Sequence, residues 1–264
     1  MELQLNNKKV FISGSTSGIG FAMAKGFLEE GAEVIINGRS EHRLKAAISK
    51  LEQFVPKAVV SGIVADFNDP KAIDHIKKQL DYVDILVNNV GIFASKSFED
   101  TSDLDWLEMF RVNVMSAVQL SRYFLPKMLD KNRGRILFVS SECAQLVPED
   151  LIAYSTTKAA LLAMSRGLAQ TTKGTNVTVN SIIPGSTLTE GAVKFLKDQA
   201  VKEGKTAEEV AQEFFKQTRT SSLIQRFAEP TEIADMALFL ASPLSAATNG
   251  AAIKVDGGSV PGIL

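Results

Sequence analysis

Three spaced glycines stand between a short apolar segment and a helical pattern near the start of this sequence. The apolar segment is Val10–Ser13, and the helical pattern begins at Phe21. Gly14 permits a tight turn, Gly18 lets the backbone approach a pyrophosphate, and Gly20 lets the helix pack closely on a sheet. The free N–H groups at the start of the helix would then face the anion. The segment therefore predicts a phosphate-binding turn, with candidate contacts at Gly14, Ser15, Ser17, Gly18, Ile19 and Gly20.

Apolar segments of strand type alternate with helical patterns along the chain. Most of these segments are continuously apolar, as expected of parallel strands that are covered on both faces. The seven predicted strands are Val10–Ser13, Val34–Asn37, Ala58–Ala65, Asp84–Asn88, Arg135–Ser140, Val177–Ile183 and Ala251–Val255. The alternation predicts an α/β fold with right-handed crossovers. A closed barrel would show the same alternation, and the glycine turn favours a doubly wound open sheet instead.

Length and composition exclude several classes of protein. A chain of 264 residues fits one domain, residues 1–264. One cysteine and two histidines leave no disulfide framework and no zinc cluster, so we expect no metal. With 29 basic and 30 acidic residues, the net charge of −1 predicts no nucleic-acid partner. No membrane span and no export signal are visible, so we expect a cytoplasmic protein without membrane contact.

The segment 186–228 is unusually long for a connection within a compact domain. It separates the sixth predicted strand from a helix that begins near Glu229. Such segments are typically lids or binding elements, so we predict a helical lid over a substrate. Its apolar residues could line a substrate pocket or form the lid's own core, and the sequence leaves both open. They are Leu188, Val193, Leu196, Val210, Phe214 and Phe215.

The end of the second predicted strand indicates which dinucleotide would bind. A carboxylate there would bind a free ribose 2′-hydroxyl, but the strand ends in Asn37-Gly38-Arg39-Ser40. The planar guanidinium of Arg39 suits a 2′-phosphate, and Ser40 adds a hydroxyl. The pattern favours NADP(H) over NAD(H), although Arg39 could also be a solvated residue at a helix start.

A tyrosine and a lysine four residues apart indicate proton-transfer chemistry. Tyr154 and Lys158 share one face of a predicted helix, and Ser141 follows the fifth predicted strand. Reduction of a ketone by hydride leaves an alkoxide that needs a proton, and a phenol with a pKa of ~10 is a poor acid–base group at neutral pH. An ammonium ~4 Å away would lower that pKa. We therefore expect Lys158 to poise Tyr154 while Ser141 polarises the carbonyl.

Asn113 is the fourth candidate catalytic residue. It lies in the apolar run Met109–Met115, where an amide is expected to be buried and hydrogen-bonded. It could pin the helix, or it could hold a water that links Lys158 to solvent, and the sequence does not distinguish these roles. His42 and His75 lie in charge-rich helical stretches and are interpreted as solvated surface residues.

Taken in order, these motifs resemble the compact, single-domain short-chain dehydrogenases/reductases over essentially the whole chain, and most closely the 3-oxoacyl reductases among them. The matching pieces are Gly14, Gly18-Ile19-Gly20, Asp66, Asn88-Asn89-Val90-Gly91, Asn113, Ser141, Tyr154, Lys158 and Pro184-Gly185. The resemblance implies a Rossmann-like sheet of seven parallel strands in the order 3-2-1-4-5-6-7 and a catalytic tetrad of Asn113, Ser141, Tyr154 and Lys158. It also implies cofactor contacts at Asp66, Phe67, Asn89, Val90, Gly91, Tyr154, Lys158, Pro184, Gly185, Thr187 and Thr189.

The sequence departs from the family pattern at Val90 and at Ser13, which stands where the glycine motif usually opens with threonine and keeps a hydroxyl there. Val90 replaces the alanine usual in the Asn-Asn-Ala-Gly segment, which predicts local repacking near the cofactor. The Tyr154–Lys158 separation of four argues against the divergent enoyl reductases. The candidate substrate contacts are Ser141, Glu142, Leu146, Val147, Leu151 and Leu188.

The expected function is therefore NADP(H)-dependent hydride transfer between nicotinamide and a carbonyl or secondary alcohol, with a 3-oxoacyl compound as one candidate. A catalytically idle NADPH-binding regulator and a nucleotide-sugar epimerase or dehydratase remain as alternatives. The helical stretches Asp103–Leu129 and Asp150–Thr171 carry more apolar positions than one sheet face covers. Together with the resemblance, they predict a homodimer or homotetramer.

Overall fold

Seven parallel strands form one sheet at the centre of the structure, a computed structural model that describes residues 2–263. The strands are β1 (Lys9–Ile12), β2 (Glu33–Gly38), β3 (Val60–Val64), β4 (Ile85–Asn88), β5 (Gly134–Val139), β6 (Val177–Pro184) and β7 (Ala252–Val255). Their order across the sheet is β3-β2-β1-β4-β5-β6-β7, and every pairing is parallel. The predicted fold is confirmed, including the strand order that the resemblance implied.

Helices connect the strands and cover both faces of the sheet. They are α1 (Gly18–Glu29), α2 (Glu41–Phe54), α3 (Ala72–Gln79), α4 (Asp103–Met109), α5 (Ser116–Asp130), α6 (Cys143–Leu146), α7 (Ile152–Thr171), α8 (Glu190–Glu203), α9 (Ala207–Gln217) and α10 (Pro230–Ala241). Short 3₁₀ turns at Glu149–Leu151 and Pro243–Ser245 complete the regular structure.

The continuous apolar character of the strands has a direct cause in the packing. Successive residues of a strand point to opposite faces, so both faces need apolar side chains when helices cover both. Val10 and Ile12 of β1 pack into the core beneath α1, α2 and α10. Phe11, between them, packs into the second core with Phe124 of α5 and Leu161 of α7. The two cores hold the sheet rigidly, which fixes the positions of the loops at its carboxyl edge.

Every predicted strand differs from the observed one by one or two residues at one or both ends, and one predicted helical stretch is divided. The predicted stretch Asp103–Leu129 is α4 and α5 joined by one π-helical segment, Phe110–Met115, in which the Ser116 N–H bonds to the Arg111 carbonyl five residues back. The third strand begins at Val60 rather than Ala58, because the Ala58 N–H still bonds to Val55 after α2.

The long segment 186–228 contains two helices that pack on each other. Leu196 and Ala200 of α8 meet Val210 of α9, with Leu188 and Phe227 packed against them. The segment thus has a small apolar core of its own, separate from the two that flank the sheet.

Neither a membrane-spanning helix nor a metal cluster is found in residues 2–263. No helix in this part of the chain is long and apolar enough to cross a membrane. Within the same residues, no three His, Cys, Asp or Glu side chains come together in a way that could hold a metal ion.

Candidate active site

A groove runs along the carboxyl edge of the sheet and joins the glycine turn to the tyrosine–lysine pair. One cavity of about 430 Å³ is lined by Gly14, Ser17, Gly18, Ile19, Gly20, Asn89, Val90, Gly91, Ser141, Tyr154, Lys158, Pro184, Gly185, Thr187 and Thr189, among others. A second cavity, of about 220 Å³, shares four of these residues and continues to Arg39, Ser40, Asp66 and Phe67. The structure therefore brings nearly all the predicted cofactor residues into one groove.

The glycine turn is fixed by its contacts with the loop after β4. A Cβ on Gly14, whose φ is +62°, would lie 2.8 Å from the Cα of Val90, so only glycine fits there. A Cβ on Gly20 would lie 2.5 Å from Nδ2 of Asn89. The Ser13 hydroxyl accepts bonds from the N–H groups of Asn89 and Val90, at 3.0 and 3.1 Å. These contacts hold the turn open toward the groove.

Ser15 is a predicted cofactor residue whose side chain does not line the groove. Its buried hydroxyl donates to the Ile12 carbonyl at 2.7 Å and accepts a bond from the Asn37 N–H at 3.0 Å. The Asn37 side-chain oxygen in turn accepts a bond from the Gly14 N–H at 3.0 Å. The Ser15 side chain therefore joins β1 to β2, a role that no local sequence pattern indicates.

The start of α1 is contacted by an acidic side chain from the distant segment 186–228. Ser17, the N-cap, makes no side-chain capping bond. Instead the Gly18 N–H donates to a carboxylate oxygen of Glu190, the first residue of α8, at 2.8 Å. An anion thus occupies the helix N-terminus that was predicted to bind phosphate, as the helix dipole favours. Sequence reasoning missed Glu190 because no local pattern connects it to Gly18.

Two arginines stand at the far end of the groove. Arg39 is exposed beside the second cavity, and Ser40 caps α2 by accepting a bond from the Arg43 N–H at 3.5 Å. Arg43 lines the same cavity and was missed, although its position one helical turn after Arg39 was a usable signal. The cavity is therefore cationic at this end.

The other predicted adenine-side residues, Asp66 and Phe67, line the same cavity as the arginines. Asp66 forms a turn by accepting a bond from the Asn68 N–H at 3.0 Å, and Phe67 is buried in the second core. Both nevertheless line the cavity, so the turn-forming role and a binding role are compatible.

The loop after β6 lines the groove. A Cβ on Gly185 would lie 2.7 Å from the Asp256 backbone, which lets this loop pack tightly on the end of β7. The Thr187 hydroxyl donates to the Gly185 carbonyl at 2.9 Å, and the Thr189 hydroxyl caps α8 by accepting a bond from the Ala192 N–H at 3.3 Å. Pro184 ends β6 directly before this loop.

Lys158 is a buried ammonium within the groove wall. Its Nζ donates to the Val139 carbonyl at 2.9 Å and lies 5.7 Å from the centre of the Tyr154 ring. Burial lowers the pKa of Lys158 to about 8, so the group is still mostly protonated at neutral pH. Its backbone carbonyl accepts a bond from the Ser140 hydroxyl, which fixes α7 against the end of β5.

The pKa of Tyr154 is raised rather than lowered. Burial is the largest cause, the neighbouring Cys143 and Glu142 add to it, and a hydrogen bond with Ser141 partly offsets it. The expectation that Lys158 controls this pKa is therefore wrong for the structure, in which desolvation is the larger effect. The phenol keeps its proton at neutral pH and lines the same cavity as Ser141.

Asn113 lies on the π-helical segment and pins it to the loop after β4. Its side-chain oxygen accepts a bond from the Ile92 N–H at 2.8 Å, and its Nδ2 donates to the Ile92 carbonyl at 2.9 Å and to the Thr157 hydroxyl at 3.0 Å. Of the two roles that the sequence left open, these contacts correspond to the pinning role. A π-helical turn is a common feature of functional sites.

The candidate substrate contacts are spread over three places. Ser141 lines the cavity with Tyr154. Glu142 is buried and paired with Arg219 at 2.7 Å, Leu146 and Leu151 are half-buried, and Val147 is exposed with a left-handed φ of +45°. Leu188 packs in the lid core, the second of the alternatives for that residue.

Phe93 is a cavity-lining residue that the sequence analysis missed. It lines the cavity, its side chain is 72% exposed, and its ring centre lies 5.9 Å from that of Tyr154. A large exposed aromatic side chain beside a polar cavity is a typical ligand contact.

Comparisons with known proteins agree with this geometry. The model of a family described as enoyl-(acyl carrier protein) reductase matches residues 14–259. An uncharacterized oxidoreductase of Bacillus subtilis, YvrD, is 47% identical over 263 residues, covering 98% of this chain and 99% of that protein. A 3-oxoacyl-(acyl-carrier-protein) reductase of Aquifex aeolicus is 34% identical over 261 residues, covering 98% and 99%.

A solved structure matches the whole chain. It is the L-sorbose reductase of Gluconobacter frateurii in complex with NADPH and L-sorbose, with a TM-score of 0.93, 31% sequence identity and complete coverage of both chains.

Proposed function

This chain belongs to the short-chain dehydrogenase/reductase family and is an NAD(P)-dependent oxidoreductase, and from that premise we propose that it reduces a carbonyl compound with NADPH. The observation that carries the proposal is a single cavity lined by the glycine turn and by Ser141, Tyr154 and Lys158. Anion-binding and proton-donating groups thus face the same space, which hydride transfer followed by protonation requires.

One contact within the groove supports dinucleotide binding independently of the comparisons with known proteins. The Glu190 carboxylate on the Gly18 N–H is a negative group held by the start of α1, and a pyrophosphate has the same chemistry. Gly14 and Gly20 would hold the turn, while Asp66 and Phe67 would flank the adenine. When bound, the cofactor supplies the hydride that adds to the carbonyl carbon.

The preference for NADP(H) rests on the charge at the far end of the groove. Arg39 and Arg43 line the cavity there, and the end of β2 carries Asn37 and no carboxylate. Two guanidinium groups would pair with a 2′-phosphate and gain little from a 2′-hydroxyl.

Tyr154 is the proposed proton donor. Because burial keeps its phenol protonated at neutral pH, it can give that proton to the oxygen of the carbonyl as the hydride arrives at the carbon. In the reverse direction the phenolate accepts the proton of an alcohol, so oxidation should be favoured at alkaline pH. Lys158, charged and buried beside the ring, would stabilise the phenolate after the proton has left.

Ser141 and Asn113 would support this step in different ways. The Ser141 hydroxyl lies in the cavity next to the phenol and would orient the carbonyl oxygen between them. Asn113 holds the π-helical segment and the Ile92 backbone in place, so its contribution is to the shape of the site.

Two carbonyl classes are candidate substrates. The L-sorbose reductase neighbour supports a small hydroxylated ketone, and the Aquifex relative supports a 3-oxoacyl compound. The spacing of four between Tyr154 and Lys158 argues against enoyl reduction, despite the description of the matching family.

The test is NADPH oxidation by the purified protein against a panel of keto sugars, 3-oxoacyl thioesters and simple ketones. We expect turnover with one class, and a loss of about 10²- to 10⁴-fold in kcat for Tyr154→Phe with NADPH affinity retained. Tyr123→Phe, on α5, is the matched control and should behave as the wild type.

Two outcomes would favour the alternatives. NADPH binding without turnover of any compound would support a regulator or scaffold. Retention of NADP through turnover of a nucleotide sugar would support an epimerase or dehydratase.

Self-association is also proposed. Leu104 and Leu107 of α4 and Met115 beside α5 are exposed apolar side chains on one of the two helical stretches that the sequence assigned to an interface. A homodimer or homotetramer would cover them. Light scattering at micromolar concentration should give a multiple of the chain mass, and a monomeric mass would contradict the assembly.

The cytoplasmic location stays a prediction from the sequence.

A further inference from the structure

A buried ion pair joins the segment 186–228 to the residue that follows Ser141. The Arg219 Nε donates to a carboxylate oxygen of Glu142 at 2.7 Å, and the side chains are 13% and 4% exposed. Arg219 lies just beyond the end of α9, and Glu142 lies in the turn between β5 and α6. One contact thus connects the lid directly to the loop that carries Ser141.

Further contacts fix both partners of the pair. The Ser186 hydroxyl donates to the same Glu142 oxygen at 3.0 Å, and the Glu142 N–H donates to the Pro184 carbonyl at 2.8 Å. The Arg219 guanidinium lies 5.6 Å from the centre of the Phe214 ring. The Glu142 carboxylate is thereby held by Ser186 after β6, the Glu142 backbone by the end of β6, and the guanidinium by the segment 186–228.

The Arg219 side chain also belongs to the lid's aromatic cluster. The Phe214 ring is stacked on that of Phe227 at 5.2 Å, and Phe215 meets both rings edge-on. An arginine over this cluster cannot swing into solvent without losing packing as well as its ion pair. The contact differs in this respect from a surface pair between two mobile side chains.

Because the pair is buried, the loss of either side chain should destabilise the arrangement of the other. When one member of a buried ion pair is removed, the other is left as an unpaired charge away from water, which strongly disfavours the closed arrangement. The second Glu142 oxygen already has no hydrogen-bond partner and is inaccessible, so the carboxylate depends heavily on Arg219. Loss of Arg219 should therefore release the end of α9 from the catalytic loop, or displace Glu142 and, with it, Ser141.

We propose that the Glu142–Arg219 pair is the clamp that holds the lid on the catalytic loop, and that Arg219 is a positioning residue acting on Ser141 and Tyr154 through Glu142. The effect on turnover rests on the proposed function, whereas the clamp itself does not. Arg219 belongs to the segment 186–228, which contains none of the four proposed catalytic residues.

The charge of Glu142 gives the clamp an electrostatic consequence. Glu142 and Cys143 after β5 act electrostatically on the Tyr154 phenol, Lys158 lies 5.7 Å from the centre of its ring, and Arg219 is paired with Glu142. Glu142 raises the pKa of Tyr154. Glu142→Gln should lower that pKa and move the alkaline limb of the reduction profile to lower pH, because the acid loses its proton earlier.

The experiment compares Arg219→Gln with Arg226→Gln, a matched change at a second arginine of the same segment. Arg226 pairs with Glu232 at 2.7 Å, but these side chains are 54% and 42% exposed, so its loss should matter little. For Arg219→Gln we expect faster amide exchange across α9 and a fall in kcat of about 10- to 100-fold, with NADPH affinity unchanged. Arg219→Lys should restore part of both properties.

A double-mutant cycle isolates the interaction. Glu142→Gln combined with Arg219→Gln should be no worse than Arg219→Gln alone, because the buried charge is removed with its partner. Wild-type exchange in Arg219→Gln would overturn the clamp. Faster exchange with unchanged kcat and pH profile would overturn the positioning role. Because exchange and NADPH binding need no substrate, failure of the clamp is distinguishable from failure of the proposed carbonyl reductase activity.

Discussion

The backbone N–H of Gly18 and the carboxylate of Glu190 are joined by a hydrogen bond of 2.8 Å across 172 residues of sequence. Each residue is the first of a helix, α1 and α8, so one carboxylate lies at two helix N-termini. Because α1 has no acidic residue in its first turn and no side-chain cap, Glu190 takes the place of both. The lid is thereby attached to the proposed phosphate site.

This contact predicts that Glu190 weakens cofactor binding. Glu190→Gln should bind NADPH about two- to fivefold more tightly, because an anion that competes with the pyrophosphate at a helix N-terminus is removed. Glu208→Gln carries the same charge change on α9, away from the groove, and is the control. Calorimetric titration measures both variants. Weaker binding by Glu190→Gln would mean that the carboxylate supports the cofactor rather than opposing it.

The arginines at the end of the groove predict a change of cofactor preference. Arg39→Asp should raise the dissociation constant for NADPH by about 10- to 100-fold, since a charge-assisted bond to the 2′-phosphate is lost and a repulsion is gained. NADH affinity should hold or improve, and Arg43→Asp should show a smaller effect of the same sign. Lys50→Asp, an exposed site on α2, controls for net charge. Equal dissociation constants before and after the Arg39 change would contradict the NADP assignment.

Burial of Lys158 predicts an unusual stability profile. Its pKa falls from the usual 10.5 to about 8 in the folded state, so the unfolded chain binds more protons between these values and stability should rise with pH there. At pH 7 the buried, charged Lys158 should destabilise the folded state by about 3 kcal/mol. Lys158→Met removes this cost and loses a hydrogen bond to Val139 worth about 1 kcal/mol, so the variant should be about 2 kcal/mol more stable at pH 7.

The measurement is urea unfolding of the wild type and Lys158→Met at pH 7 and pH 10.5, without cofactor. The advantage of the variant should disappear at the higher pH, where the native lysine is already neutral. A variant that is less stable than the wild type at both values would show that the ammonium is better solvated than its burial indicates.

The aromatic contact at Tyr154 predicts a role for Phe93 in substrate affinity. Phe93→Ala should raise the KM of the carbonyl substrate by about five- to tenfold with a smaller change in kcat, because an apolar wall of the cavity is lost. Phe98→Ala removes another exposed ring from the same loop, one that does not line the cavity, and should leave KM unchanged. A larger effect on kcat than on KM would place Phe93 in the orientation of Tyr154 instead.

Local patterns predicted the sheet, the glycine turn and the tyrosine–lysine–serine set. The glycine turn could be identified from sequence because positive φ values and close approach restrict Gly14 and Gly20 to glycine, whatever lies far away. The Tyr154–Lys158 pair could be identified because residues four apart share a helix face. Ser141 followed from its place after β5, at the edge where parallel sheets bind ligands.

Side-chain functions that depend on distant partners could not be predicted. The sequence placed Ser15 at the cofactor, and in the structure its hydroxyl bonds to the backbone of β1 and β2 instead. It assigned the pKa of Tyr154 to a nearby ammonium, and burial had the larger effect. Desolvation depends on everything that surrounds a group, which no motif contains.

The amino-acid sequence alone therefore determined where the strands lie along the chain, the phosphate-binding turn and the tyrosine–lysine–serine set. Each of these depends on backbone geometry or on neighbours within a few residues. The tertiary structure decided that Glu190 meets Gly18, that Arg219 meets Glu142 and that Phe93 meets Tyr154. These pairs are separated by 172, 77 and 61 residues, and they form only because two packed cores bring loops from distant strands to one edge of the sheet.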